Sequence, residues 1–396
     1  MLDLALKGKP RYWIWISFLI TMILIGFICW LREHHIGAAF TTGLSRDVSW
    51  GFHVGQLTFF VGVAASAVLV VLPYYFHNYK AFGRITVIGE FLAVGCVLIA
   101  MLSVFVIMGQ PSRVWNVILH PTPHSIIFWD MFVLMTYLFL NLLCGWTILH
   151  AEKKDAPPPK WIKPFIYWAI LWAPSIHTVT AFLYAGLPGK PHWMTALQAA
   201  HFLATAFAAG PSLLIIISMI IRKVSKFDPG QQAINKLAEI ATYALIIHLF
   251  FIGLEFFTAF YSQIPDHMKS LIYLYWGLEG HDRLVPWMAI STLLAFTGLL
   301  IFMFPPLRKW NVTKLIGAIC IFFSIWMDKG FAFVVSGFIP NSFDRVTEAW
   351  IALNEFLVAA GVWSVGALVI TVLYKIAITV KEKAVFDKYG QKQVVD

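Results

Sequence analysis

The chain has 396 residues, 60% of them hydrophobic and 12% charged, with a mean hydropathy of +0.76. A soluble domain is roughly 45–50% apolar and about 25% charged, so this composition excludes a soluble enzyme. The formal charge of +9 requires no nucleic acid, because the basic residues follow the membrane topology described below.

Crossing the hydrocarbon takes about 20 apolar residues in a helix. In chain order, ten stretches qualify: 12–31, 49–76, 84–109, 126–149, 161–185, 196–221, 237–261, 284–304, 312–337 and 355–380. Lys7, Lys9 and Arg11 precede the first like the basic start of a secretion signal. That stretch is too long for one, however, and ends in Leu31-Arg32-Glu33 without small cleavage-site residues. The second stretch carries Gly62 to Ser66 and the sixth Ala204 to Gly210, small-residue runs that suit close helix packing and echo one another. The expected fold is all-α: a polytopic membrane protein forming one domain over 1–396, with ten transmembrane helices in two four-helix bundles plus two peripheral helices.

Lysine and arginine set the orientation. With the N-terminus inside, the inner segments hold 21 of the 29 basic residues against 9 acidic ones, among them Lys153, Lys154, Lys160, Lys163 and the C-terminal Lys375, Lys381, Lys383, Lys388 and Lys392. The outer half, Lys329 included, holds 8 basic and 11 acidic residues, which predicts both termini inside. The outer connections are also the longer ones, giving that side more docking surface. Cys29, Cys96, Cys144 and Cys320 lie singly in four different stretches, so they build no disulfide framework, zinc site or iron–sulfur cluster.

Ionisable side chains in hydrocarbon cost at least a few kcal/mol and tend to face the protein interior. His53, Gln56, Asp130, His177, Gln198, His201, Glu255, Asp328, Lys329 and Glu355 all fall in the outer part, whereas Glu90 and Glu239 lie near the inner surface and His248 near the middle. Asp130, Tyr137 and Asn141 share one azimuth, as do Gln198, His201 and Thr205. His177 follows Pro174, where a kink frees carbonyls to line a cavity. An outward-leaning polar pocket of this kind suits a quinone headgroup, whose carbonyls need His, Gln or Arg donors and whose redox chemistry needs a carboxylate or imidazole for protons. Trp50, Trp115, Trp129 and Trp193 are candidate walls, and equally candidates for an interfacial belt. Asp328 and Lys329, being adjacent, need partners on other helices, with Glu255, Glu355 and Arg113 available.

Other readings use the same residues. Haem b would need facing histidines, such as His177 with His201 or His53 with either. A proton path would run through Glu90, Asn141, Glu239, His248 and Glu255, although Glu90 anchored by Arg84 explains that carboxylate as well. A proton or solute transporter would employ these charges without a redox partner, and a passive anchor would use them only to pair helices.

The segment Ser49-Trp50-Gly51-Phe52-His53-Val54-Gly55-Gln56, the run Gly109-Gln110-Pro111-Ser112-Arg113-Val114-Trp115 and Phe128-Trp129-Asp130 resemble the membrane-subunit family named after NrfD and the polysulfide reductase membrane subunit, PsrC. Pro174-Ser175-Ile176-His177-Thr178-Val179-Thr180, Gly186-Leu187-Pro188-Gly189 and Trp326-Met327-Asp328-Lys329-Gly330 are similar to the ten-helix DsrP (HmeC) branch found in DsrMKJOP (Hme) complexes. The resemblance spans about residues 45–380. It implies a menaquinone-interacting subunit in a prokaryotic cytoplasmic membrane, linked to dissimilatory sulfur metabolism and holding no Fe–S cluster of its own. The implied partners are an extracytoplasmic iron–sulfur protein, a multihaem cytochrome c, a cytochrome b membrane subunit and a cytoplasmic iron–sulfur subunit. Carried onto this chain, the family's quinone site is His53, Gln56, Arg113, Asp130, His177 and His201, with Asp130 and His177 taking the catalytic roles.

Overall fold

The computed structural model describes residues 1–390, with side chains through 382; Lys392 and the side chains of Lys383 and Lys388 lie outside this described part. Among the described residues, ten helices are long and apolar enough to cross a membrane: Pro10–Ile36, Phe52–Phe76, Thr86–Ile107, Ile126–Lys153, Ile162–Ala185, Gln198–Val224, Gln231–Tyr261, Leu284–Met303, Asn311–Ser336 and Leu353–Glu382. They are called spans 1 to 10. Hydrocarbon offers backbone N–H and C=O groups no partners, so each segment satisfies them internally as a helix. An even number of crossings puts both termini at one end, and the opposite end is called the far end.

Spans 2 to 5 pack in a closed ring, as do spans 6 to 9, and spans 2, 6 and 9 join the rings. Span 1 pairs with span 10, which leans on span 3. Every residue from Phe52 to Ala65 in span 2 is buried, whereas span 1 is largely open to lipid.

Small residues make these contacts possible. A Cβ on Gly210 of span 6 would lie 1.7 Å from Ser66 Oγ, and one on Gly26 of span 1 would lie 2.7 Å from the Gly361 Cα of span 10. The Gly62 and Gly210 runs therefore serve as the seam between spans 2 and 6. Ser66 Oγ bonds the Val63 carbonyl at 2.6 Å, at the point where span 2 breaks its regular helix.

Span 9 departs from α-helical geometry in a π-helical turn, Asp328–Ala332. Such turns free carbonyls and rotate side chains out of register. The Gly330 carbonyl packs so tightly on span 2 that a Cβ on Gly55 would approach it to 2.0 Å.

The far end is roofed by the 186–197 loop, where Trp193 is fully buried, and by a surface helix, Pro265–Tyr275. Trp193 stacks on Trp50 at 5.8 Å, while Trp115 and Trp129 are exposed. The tryptophans thus divide between a buried wall and an outer belt.

Candidate functional site

Asp130 (span 4), Thr180 and His177 (span 5), His53 (span 2) and Gln198 (span 6) are all buried in the far half of the protein. The Thr180 hydroxyl lies 2.6 Å from Asp130 Oδ1 and 2.9 Å from the Ile176 carbonyl. One hydroxyl proton cannot fully serve two acceptors. As a carboxylate Asp130 accepts it, and as an acid Asp130 donates to Thr180, which then donates to Ile176. The contact therefore survives either protonation state, which suits a group that exchanges protons.

His177 Nε2 is 2.9 Å from the Phe202 carbonyl and must be the donor there. That fixes the tautomer and leaves Nδ1 as a bare acceptor, buried without a protein partner. Both His53 ring nitrogens and both Gln198 amide atoms are likewise buried and unpartnered. Unsatisfied buried polar atoms are few in native proteins, and these three side chains lie on helices that pack on one another. This set offers donors for carbonyls and acceptors for hydroxyls, and so fits both redox forms of a quinone headgroup.

Gln56 is placed differently. Its Nε2 donates to the Gly330 carbonyl at 2.9 Å and its Oε1 accepts from Trp326 Nε1 at 3.0 Å, so its amide clamps the π-helical turn to span 2. Arg113 is exposed on a short 3-10 turn outside the buried set. His201 has both ring nitrogens engaged, Nδ1 with Glu255 Oε1 at 3.2 Å and Nε2 with His248 Nδ1 at 2.8 Å. His248 Nε2 in turn faces Asp328 Oδ2 at 4.0 Å.

These residues border a second site. A cavity of about 20 Å³, room for one water molecule, is lined by His192, His201, Glu255, Tyr275, Asp328 and Lys329 among others. Lys329 is buried with its Nζ 4.3 Å from the Phe333 ring centroid and 4.8 Å from that of Phe202. Glu355 accepts from the Phe52 amide at 3.1 Å and the Gly43 amide at 3.5 Å, so it caps span 2 and leaves Lys329 to the aromatic rings.

The inner residues do not join these groups. Asn141 bonds the Tyr137 carbonyl at 2.8 Å within its own helix, and Glu239 pairs with Lys236 at 3.1 Å near the termini end. Glu90 is buried with Oε2 unpartnered, while Arg84 reaches the Asp228 carbonyl instead of Glu90. Of the histidines weighed as haem ligands, His201 has both ring nitrogens engaged and stacks on His248, and His177 Nε2 is taken by the Phe202 carbonyl.

Sequence reasoning missed Thr180 and His192. Thr180 could have been found, since it follows His177 by three residues on the same helical face. His192 sits in a loop with no periodicity to mark it. Burial pushes the His192 imidazole down to about 4, against the pull of Glu255. The unfolded chain takes up that proton near pH 6.5, so this contribution to stability is complete above that value and is lost as pH falls toward 4. His192→Asn is expected to flatten the acid slope of the thermal unfolding midpoint over that range. An unchanged slope would show that His192 does not carry it.

Residues 41–337 match the family model described as "Polysulphide reductase, NrfD". Similar proteins include the membrane subunit of a provisionally named dimethyl sulfoxide reductase of Halobacterium salinarum, 22% identical over 90% of this chain and 89% of that one. A selenate reductase subunit from Mesobacillus selenatarsenatis is 22% identical over 89% of each chain. The Hdr-like menaquinol oxidoreductase integral membrane subunit of Archaeoglobus fulgidus is 23% identical over 62% of this chain and 60% of that one.

Proposed function

The chain belongs to the NrfD, polysulphide reductase family, and from that premise we propose that it is the quinone-interacting membrane subunit of a multi-subunit respiratory oxidoreductase. The observation that carries this reading is the set of unpartnered buried polar atoms on His53, His177 and Gln198, on helices packed together, with the buried Asp130–Thr180 pair. The electron exchange runs between menaquinol or menaquinone and an extracytoplasmic iron–sulfur protein docked at the far end. A relative named as a menaquinol oxidoreductase subunit supports this choice of quinone. The charge asymmetry of the sequence supports a cytoplasmic location for both termini, in the prokaryotic cytoplasmic membrane. The DsrMKJOP type of complex, with its multihaem cytochrome c, cytochrome b and cytoplasmic iron–sulfur subunits and its link to sulfur metabolism, is the assembly favoured by the sequence motifs.

When bound, the quinone supplies two-electron, two-proton redox chemistry. His53 and Gln198 are the residues that would donate to its oxygens, and His177 Nδ1 would accept from a hydroxyl. Asp130 takes or gives the proton, and Thr180 holds its carboxyl in place in both states. Trp193 and the Trp50 ring packed on it keep bulk water away from the far end of the site.

Gentle detergent purification followed by quinone extraction, an optical redox spectrum and identification of co-purifying subunits tests the proposal. Menaquinone with iron–sulfur and cytochrome partners is expected. A colourless protein without quinone or partners would turn the reading to proton or solute transport.

A further inference from the structure

Four titratable side chains from three helices of the second ring make a continuous line: Glu255 to His201 at 3.2 Å, His201 to His248 at 2.8 Å, and His248 to Asp328 at 4.0 Å. We propose that these four form a proton-transfer chain, a functional site separate from the headgroup set, which passes protons to water at the far end. The inference uses the proposed quinone chemistry only as the source of protons; the chain itself stands on its own contacts.

The 2.8 Å contact between His201 Nε2 and His248 Nδ1 needs one proton between two imidazole nitrogens, so one ring donates and the other accepts. Beginning with a proton on Asp328, His248 Nε2 takes it and His248 Nδ1 passes its own to His201 Nε2. His201 Nδ1 then releases its proton to Glu255. Asp328 ends as carboxylate, Glu255 ends protonated, both rings have exchanged tautomers, and one proton has moved with no net change at either imidazole. Asp328 Oδ2 is buried without a hydrogen-bond partner, and one water or a turn of the carboxylate closes its 4.0 Å gap to His248.

Both ends suit the task. Glu255 is the most open member, with 28% of its side chain exposed, and it faces the water-sized cavity beneath His192. Asp328 begins the π-helical turn that Gln56 clamps through the Gly330 carbonyl, and Gln56 lies one helical turn from His53. The Asp328 end of the chain is therefore mechanically joined to span 2, one helical turn from His53. Asp328, Lys329, Tyr275 and His192 also border the cavity. Among the described residues Lys329 has no carboxylate within salt-bridge distance; its Nζ lies over the Phe333 and Phe202 rings, where a positive charge would oppose accumulation of protons in the cavity.

The test requires no quinol. The assembled complex, carrying nitrogen-15 histidine in lipid vesicles, is moved into heavy water, and exchange of the His248 ring N–H is followed by solid-state NMR. His248 is buried; its Nδ1 proton leaves through His201 and Glu255, whereas Nε2 exchanges through Asp328, so the Nδ1 signal is the one followed. Glu255→Gln, which keeps shape and partial exposure, is expected to slow that exchange about 10²-fold, the lower end of the range for loss of a positioned acid or base. The His177 ring, held by Phe202 outside the chain, exchanges as in the wild type. His201→Ala is expected to block exchange, with added imidazole restoring it and pyrrole, which lacks the acceptor nitrogen, failing to do so. An unchanged His248 rate in Glu255→Gln, or restoration by both compounds or by neither, would overturn the chain and leave the two histidines as packing residues. Absence of quinol turnover in the same preparation bears on the proposed function alone.

Discussion

Replacing Asp130 by Asn is expected to lower quinol oxidation by about 10²- to 10⁴-fold, the range for a positioned proton acceptor, while the complex still assembles. The reasoning lies in the contact with Thr180. An asparagine carbonyl can accept the hydroxyl proton that Asp130 Oδ1 accepts at 2.6 Å, so the bond between spans 4 and 5 survives the change. The amide cannot exchange a proton at physiological pH, and that capacity is the only one lost. Thr180→Val is the companion variant: it keeps the carboxylate and removes its holder, and a smaller loss than that of Asp130→Asn is expected. Turnover by well-assembled Asp130→Asn at the wild-type rate would remove Asp130 from the chemistry. Steady-state quinol oxidation, together with subunit stoichiometry, reads both.

Much of this arrangement is legible in the sequence, and the rest is hidden for identifiable reasons. The ten spans follow from hydrocarbon thickness and backbone satisfaction, which admit few alternatives. The interior face of span 4 is also readable, because Asp130, Tyr137 and Asn141 return to one azimuth and all three are buried. Contacts between helices are another matter. His248 and Glu255 share a face of span 7, but the residue that joins them is His201, 47 positions before His248 in the chain. Nothing in helical periodicity reports that distance. The role of Gln56 is hidden for a related reason: its partner is a carbonyl released by the π-helical turn, and that turn has no sequence signature. The same turn explains how Asp328 and Lys329, neighbours expected to point apart, both line one cavity. Arg113 shows the converse, since a residue in a recognisable motif is placed on an exposed turn.

The turn also gives the largest expected effect on stability. Gly55→Ala would put a Cβ 2.0 Å from the Gly330 oxygen and 2.4 Å from its carbon. Both atoms are backbone, and the Gly330 oxygen is tied to span 2 itself by the Gln56 amide, whose Oε1 accepts from the Trp326 indole, so no side-chain rotation relieves the clash. Span 2 must move away from span 9, and the clamp opens with it. Overpacking in a close-packed core typically costs about 1–3 kcal/mol and occasionally more; a backbone-to-backbone clash with loss of a buried hydrogen bond belongs at the upper end. Gly109→Ala is the matched control. It lies in another of the motif segments, but no atom comes within 4 Å of its added Cβ, so a change within about 0.5 kcal/mol is expected. Thermal unfolding in detergent should therefore separate the two variants by several degrees, with Gly55→Ala the lower. Displacing the turn also shifts Asp328 and Lys329, so Gly55→Ala should lose quinol turnover even below its unfolding temperature. Equal midpoints for the two variants would mean that the contact between Gly55 and Gly330 does not hold the rings together.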